Sequence, residues 1–170
     1  MRIAIVTAAV VAAASTARAD ERRDVIATQP LALVARGVSL SYERPVLPGW
    51  SAVALTGVRG AAGGDYSSRT WTVGAELRWW PRRPMRGLHL AAHASAAHTS
   101  LTDDVMDTHV GDAWALTQRL DVGYRWWTWR RLTLTPSLGV ALREDVDRSG
   151  RLATTARPAV VIGLELGWRL

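Results

Sequence analysis

The chain contains no cysteine, so it has neither a disulfide framework nor thiolate chemistry. Lysine and phenylalanine are also absent, whereas tryptophan occurs nine times. After the first residues, no apolar run approaches the roughly 20 residues that a transmembrane helix needs. These absences exclude thiol enzymes and a later helical membrane anchor.

The charge balance is basic, with 21 Lys and Arg against 15 Asp and Glu and a net charge of +6. Nucleic-acid binding would require the arginines to form one patch or one helix face, but they are spread over turns and alternating positions. We therefore expect no nucleic-acid partner. The length of 170 residues is enough for one domain after loss of a leader.

The N-terminus has the pattern of a secretory signal peptide. Met1-Arg2 supplies a positive start, residues 3–14 are apolar or small, and Ala17-Arg18-Ala19 is a small-x-small cleavage site. We expect residues 1–19 to be removed and residues 20–170 to form the mature domain. The alternative, a buried helix, would show a 3.6-residue apolar period.

The C-terminus is a strand with two contrasting faces. Leu164, Leu166, Trp168 and Leu170 share one face, and Glu165, Gly167 and Arg169 share the other. Similar alternation marks residues 38–44, 50–61, 70–80, 88–96, 114–127 and 132–143. Residues 24–33 supply an eighth strand and 34–37 a tight turn, although Pro30 weakens that strand. The pattern predicts an all-β, eight-stranded antiparallel up-and-down transmembrane β-barrel.

The character of the two faces favours a membrane barrel over a soluble one. Aromatic residues lie mainly at strand ends on the apolar face, and the polar face is rich in small residues that suit a narrow lumen. Short links at 47–49, 81–86 and 129–131 indicate the periplasmic side. Longer links at 63–68, 102–112 and 145–155 predict outer loops. The predicted location is the bacterial outer membrane.

Two sets of side chains are the candidate site residues. The first is a lumen charge network in which acids pair with arginines, because an unpaired buried charge is costly. Its members are Glu43, Glu76, Arg78, Arg119, Asp121, Arg125 and Glu165. The second is an aromatic girdle at the periplasmic boundary. Its members are Tyr42, Trp50, Trp79, Trp80, Tyr124, Trp126, Trp127, Trp129 and Trp168.

Short motifs resemble an uncharacterised family of small bacterial outer-membrane barrels, described as a domain of unknown function. Gln29 to Leu33, Gly37 and Val38 to Arg44 resemble its opening, and residues 74–80 and 123–126 resemble its later strand ends. The architecture also resembles the OmpA and OmpX type. The resemblance implies fold and location and brings no activity.

A filled lumen favours a structural or surface-interaction role, with no cofactor, no metal and no catalysis. Outer-membrane lipid is the expected environment, loops 102–112 and 145–155 are the expected contacts for a surface partner, and a monomer is expected. One alternative is a lipid-modifying enzyme, because His98 and Ser100 resemble the His-x-Ser pair of lipid A deacylases. Another is a narrow channel or small-ligand barrel. The acidic residues of 103–112 lack EF-hand spacing for calcium.

Overall fold

Alternating sequence produces eight strands in the computed structural model, which describes residues 24–34, 36–128, 131–146 and 157–170. The strands are β1 (Val25–Thr28), β2 (Gly37–Leu47), β3 (Trp50–Gly63), β4 (Tyr66–Trp79), β5 (Gly87–Asp103), β6 (Thr108–Trp127), β7 (Leu132–Val146) and β8 (Arg157–Arg169). One short helix, α1 (Pro30–Val34), follows β1.

Each strand pairs antiparallel with its sequence neighbours, and β1 pairs with β8 to close the barrel. A path that starts at Trp168 of β8 and steps through paired residues from β1 to β7 returns to β8 at Pro158. The strands are therefore staggered by ten residues around the barrel. Such a stagger tilts the strands against the barrel axis and brings residues far apart in sequence together in the lumen. The predicted eight-stranded antiparallel barrel is confirmed.

The two faces of each strand differ sharply in exposure. Outward positions carry large apolar side chains, among them Leu120, Ile162 and Val160, which are 69%, 73% and 75% exposed. Inward positions carry the buried acids, arginines, small residues and glycines. The apolar surface is therefore on the outside of the barrel, the reverse of a soluble barrel with an apolar core.

The first strand is shorter than predicted. The expected strand over 24–33 ends at Thr28, and Pro30 begins α1 instead. Proline has no N–H for the ladder, and the Thr28 hydroxyl and the Gln29 N–H bond to Ser39 where the pairing stops. Within the predicted turn at 34–37, Arg36 has a positive φ of 54°, which is a left-handed backbone conformation.

The predictions of long outer loops at 63–68 and 102–112 are wrong, because the strands continue through most of these residues. The link at 63–68 is a turn at Gly64 and Asp65, and the link at 102–112 is reduced to residues 104–107. Strands β5 and β6 reach 17 and 20 residues as a result. The third predicted loop, 145–155, falls largely outside the described residues. No helix in the described part of the chain is long and apolar enough to cross a membrane.

Candidate functional site

Arg78 lies at the centre of the lumen and binds three carboxylates. Its Nη1 donates to Glu43 Oε2 at 2.7 Å, its Nη2 donates to Glu165 Oε2 at 2.8 Å, and its Nε bonds to Glu76. Strands β2, β4 and β8 supply these partners. The guanidinium fork satisfies acids from three strands at once, which a lysine ammonium matches less well.

Arg125 of β6 binds the same acids from the other side. Its Nη2 donates to Glu43 Oε2 at 2.6 Å and to Glu165 Oε1 at 2.9 Å, and its Nε donates to Thr135 at 3.0 Å. The Arg125 side chain has no exposure to solvent. Two arginines therefore share two glutamates in a closed ring of charge-assisted bonds.

A second group extends the network toward the outer side. Arg119 Nε donates to Asp121 Oδ2 at 2.6 Å, and its Nη2 lies 3.6 Å from Glu76 Oε2. His93 Nδ1 lies 3.4 Å from the same Glu76 oxygen. Glu76 thus connects the two groups, and all seven charged residues expected in the lumen lie there in contact with one another.

Several partners of this network were missed from sequence. Ser51 donates to Glu43 Oε1 at 2.5 Å, Thr135 accepts from Arg125, and His93 lies 3.4 Å from Glu76. Strand parity already places Ser51, His93 and Thr135 on the inward face, so alternation was the available signal. Their partners depend on the stagger of the barrel.

Trp80 is not part of the aromatic girdle; the sequence prediction was wrong for this residue. It is 2% exposed, its Nε1 donates to Ser51 at 2.9 Å, and its ring lies 4.5 Å from His89 and 5.0 Å from the Arg125 guanidinium. Parity is the reason, because Trp79 points outward and the next residue points in. With Met85, these residues close the end of the barrel at which the short link between β4 and β5 lies, which we call the inner end. We call Trp80, Met85, His89 and Arg125 the inner plug.

Trp127 also departs from the predicted girdle. It is partly buried against a cluster of Val25, Ala27, Trp80 and Met85, and its Nε1 donates to the Met85 carbonyl at 3.2 Å. It therefore supports the inner plug. Trp129 lies outside the described residues.

The other predicted aromatic residues form a ring on the outer surface of the barrel, near its inner end. Tyr42, Trp50, Trp79, Tyr124, Trp126 and Trp168 are between 37% and 52% exposed. Sequence reasoning missed Trp71 and Trp114, which point outward higher on the wall with 50% and 53% exposure. Trp71 and Trp79 are eight residues apart on β4, roughly 26 Å along the strand, so the two aromatic levels flank an apolar band.

A polar group lies on the outer surface of β5 and β6 beside Trp114. Ser100 Oγ lies 3.3 Å from His109 Nδ1, and His109 Nε2 lies 3.1 Å from Asp112 Oδ2. His98 Nε2 contacts the other Asp112 oxygen at 3.2 Å, and its ring lies 4.6 Å from that of Trp114. The His-x-Ser pair read from sequence is thus divided, since Ser100 contacts His109 rather than His98.

Within the described ranges, no three His, Asp or Glu side chains are grouped as a metal site would require. Asp103, the first residue of the acidic segment, instead accepts the backbone N–H groups of Val105 and Met106 and shapes the turn.

Sequence comparison places the chain in a family. The model described as Protein of unknown function (DUF3575) matches residues 12–148, which is more than half of the chain. The chain belongs to the DUF3575 family. No curated protein matches it in sequence.

Three solved structures are similar to this DUF3575 chain at low sequence identity. A major outer membrane protein from Thermus thermophilus is 13% identical, with 88% of this chain and 99% of that chain covered and a TM-score of 0.52. Neisserial surface protein A is 9% identical, with 88% and 94% covered and a TM-score of 0.48. Ail, the attachment invasion locus protein of Yersinia pestis, is 10% identical, with 88% and 97% covered and a TM-score of 0.43.

The Thermus structure shows the fold of this DUF3575 chain, a small barrel of the outer-membrane type. The family name carries no activity. Function therefore has to be inferred from the lumen, the outer surface and the apolar wall.

Proposed function

We propose that this DUF3575 chain is an outer-membrane protein with a filled lumen and a structural or surface-interaction role. Its outward apolar face and two aromatic levels match a barrel in lipid, where Trp and Tyr keep their rings in the apolar layer and their polar atoms in the wet layer. The seven charged side chains of the lumen network find their partners inside the barrel.

The observation that carries the proposal is the closure of the lumen. An eight-stranded barrel is just wide enough for side chains to fill it. Here the inner plug and the ring of Glu43, Arg78, Arg125 and Glu165 occupy its cross-section, with Met85 1% exposed and Arg125 fully buried. Opening a path for solutes would break several charge-assisted bonds at once.

Recording from planar lipid bilayers tests this closure. We expect no stable conductance steps from wild-type protein whose insertion is verified by its flotation with liposomes. An open porin recorded in the same bilayers serves as the positive control. Reproducible steps from the inserted wild-type barrel would contradict the filled lumen and favour the channel alternative.

The surface-interaction part of the proposal rests on the outer hairpin tips. The β4 and β5 strands stay joined up to the tip, where Ser67 Oγ donates to Asp104 Oδ1 at 2.6 Å and the Asp104 N–H to the Asp65 carbonyl at 2.8 Å. Val105 and Met106 are 73% and 70% exposed there. Contiguous exposed apolar surface marks interaction sites in proteins, and these two adjacent side chains are our candidate for one.

Substitutions at the tip test whether its apolar side chains mediate contact between cells without contributing to the stability of the barrel. We expect the double variant Val105→Ser and Met106→Ser to keep the wild-type melting temperature, because neither side chain is buried. Cells that display it should aggregate more slowly than cells that display wild type. The matched control is the double variant Asp104→Asn and Asp107→Asn, and equal aggregation by all three proteins would contradict a sticky tip.

A second candidate function, ester hydrolysis, rests on the contacts of Ser100, His109 and Asp112. In this scheme the Ser100 oxygen attacks a lipid ester while His109 takes its proton, and Asp112 stabilises the charged imidazole. The lipid alcohol leaves with that proton, and water then releases the fatty acid and restores Ser100. The position beside Trp114 suits a lipid substrate.

Incubation with lipopolysaccharide and mass spectrometry of its lipid A tests the second candidate. Hydrolysis predicts a species lacking one acyl chain for wild type and none for Ser100→Ala. The control is Ser95→Ala, which changes a lumen serine further down the same strand. Unaltered lipid A with wild-type protein would reject the enzyme.

A further inference from the structure

The outer half of the lumen contains a cavity of about 390 Å³, which lies above the charge network. His93 and Arg119 of that network are the innermost lining residues of β5 and β6 and form the floor of the cavity. The volume lies within the range of small-molecule sites, about 300–1,000 Å³. The barrel is therefore filled at its inner end and hollow above the network, and we call this space the outer-lumen cavity.

Hydroxyl groups from four strands line the walls of the outer-lumen cavity. Through its pairs, Gly57 connects Ser39 of β2 to Thr72 of β4, and Ser95 of β5 pairs with Thr117 of β6. Paired residues of neighbouring strands point to the same face, so these side chains all face the lumen. In the described part of the chain, the hydroxyls of Thr72, Ser95 and Thr117 have no hydrogen-bond partner, which leaves them available to a ligand.

The charged groups of the lining are basic. Arg59, Arg119 and His93 line the outer-lumen cavity, and its described lining residues include no Asp or Glu. Arg59 is exposed and has no carboxylate partner among the described residues. Below the cavity, Asp121 is already bound by Arg119 at 2.6 Å. An anion that enters the cavity therefore meets cations rather than acids on its walls.

The two floor residues retain polar atoms that the protein does not use. Arg119 contacts Asp121 through Nε and Glu76 through Nη2, which leaves Nη1 for the cavity. The His93 side chain is 10% exposed, and its Nδ1, 3.4 Å from Glu76 Oε2, forms no hydrogen bond there. Its Nε2 has no partner among the described residues. Because buried polar atoms in proteins nearly always have a partner, His93 points to a ligand in the cavity.

Other kinds of occupant fit this lining less well. An apolar molecule would leave the guanidinium groups of Arg59 and Arg119 and the wall hydroxyls without partners, which is costly away from water. A neutral sugar would satisfy the hydroxyls but not the two charges. A cation would meet charges of its own sign. The combination of two arginines with several hydroxyls thus indicates an anion that also carries hydroxyl groups.

We propose that the outer-lumen cavity binds one small hydroxylated anion, a molecule of monosaccharide size that carries a carboxylate or a phosphate. Its anionic group accepts hydrogen bonds from Arg59 and Arg119, because a guanidinium binds the oxygens of either group in pairs. Its hydroxyls bond to the wall hydroxyls and to His93. The inner plug closes the other end of the lumen, so the anion enters and leaves on the outer side.

Isothermal titration calorimetry of the detergent-solubilised full barrel tests the proposal, with gluconate, glucose 6-phosphate and neutral sorbitol as probes. We expect wild type to bind one of the two anions at least tenfold more tightly than sorbitol, and the tighter of the two identifies the anionic group. Arg59→Gln should lower that affinity at least tenfold. Arg82→Gln, at the opposite end of the barrel, is the matched control and should keep it.

A second pair of variants tests whether the anion lies in the cavity. Ser95→Leu fills part of the outer-lumen cavity and should lower the affinity at least tenfold, whereas Ala94→Leu, on the outer face of the same strand, should not. Heat-modified electrophoretic mobility verifies that both variants are folded. Sorbitol binding as tight as that of the anions, or unchanged affinity in both Ser95→Leu and Arg59→Gln, would overturn the proposal.

The bilayer recordings described above report on closure of the lumen separately. A folded wild-type barrel that gives no conductance and binds neither anion overturns the proposed site and leaves the filled inner end intact. Conductance steps that gluconate or glucose 6-phosphate does not alter would overturn both the closure and the site.

Discussion

Arg78 is the side chain on which most of the lumen network depends. It contacts Glu43, Glu76 and Glu165, each of them at least 90% buried. Without Arg78, Arg125 is the one arginine of the described lumen that still contacts Glu43 and Glu165. Glu76 keeps only its longer contacts to Arg119 and His93. The four acids of the lumen network would then face two arginines instead of three.

We expect Arg78→Met to lower the free energy of unfolding by about 3–5 kcal/mol, the typical cost of removing one partner of a buried ion pair. The control is Arg82→Met at an exposed turn, which should change stability by about 0.5 kcal/mol or less. Urea unfolding in detergent, followed by tryptophan fluorescence, measures both. Equal midpoints for the two variants would show that Arg78 is dispensable.

Trp79 and Trp80 are adjacent residues with opposite surroundings. Trp79 is 40% exposed beside Trp50, at a ring distance of 6.4 Å, whereas Trp80 is 2% exposed in the inner plug. Successive side chains of a strand point to opposite faces, so a shift of one residue replaces a lipid contact by a core contact.

Trp80→Ala should lower stability by about 3–5 kcal/mol, because it empties a buried site and removes the donor to Ser51. Trp79→Ala should cost much less, since lipid or detergent fills the space that its ring leaves. Melting temperatures from heat-modified electrophoretic mobility compare the two. A larger loss for Trp79→Ala would reverse our assignment of the two faces.

At the scale of the strand, the outward face of β6 distinguishes a membrane barrel from a soluble one. Leu120 is 69% exposed in the middle of the strand, between the two aromatic levels. Val110 is 48% exposed on the same strand, beyond the outer aromatic level. In water, lysine is tolerated at both positions; in a bilayer, it is tolerated only beyond the apolar layer.

Leu120→Lys should therefore destabilise the barrel in liposomes by about 2–4 kcal/mol, the cost of a lysine near the bilayer midplane. Val110→Lys should change stability by about 0.5 kcal/mol or less. Reversible unfolding in liposomes gives both values. Two neutral substitutions would indicate that the exposed apolar wall is not in contact with lipid.

At the scale of the whole molecule, closure depends on strands from the two ends of the described chain. Val25 pairs with Arg169 and Ile26 with Trp168, so β8 must be in place before β1 has both neighbours. These long-range pairs make the barrel a single cooperative unit rather than a set of independent hairpins.

The N-terminal segment gives a whole-molecule prediction that the barrel itself does not test. We expect protein recovered from outer membranes to begin at Asp20, since Ala17 and Ala19 satisfy the small-x-small rule for cleavage. Intact-mass measurement reads the new N-terminus. Ala17→Leu with Ala19→Leu should block cleavage, and an unprocessed wild-type chain in the outer membrane would contradict a signal peptide.

Alternation in the sequence determined the class of fold and the inward position of the seven charges. It also carried information that our aromatic prediction did not use, because parity places Trp80 opposite Trp79. A period of two is local, so it is read from a few residues without knowledge of the rest of the chain.

Only the tertiary structure decided which charges meet and where the strands end. Arg78 contacts Glu165, 87 residues away, because the ten-residue stagger brings β4 and β8 to one level of a narrow lumen. The first strand likewise ends at Thr28, before Pro30, while β8 continues outward to Arg157. These features depend on closure of the whole barrel, which no local pattern specifies.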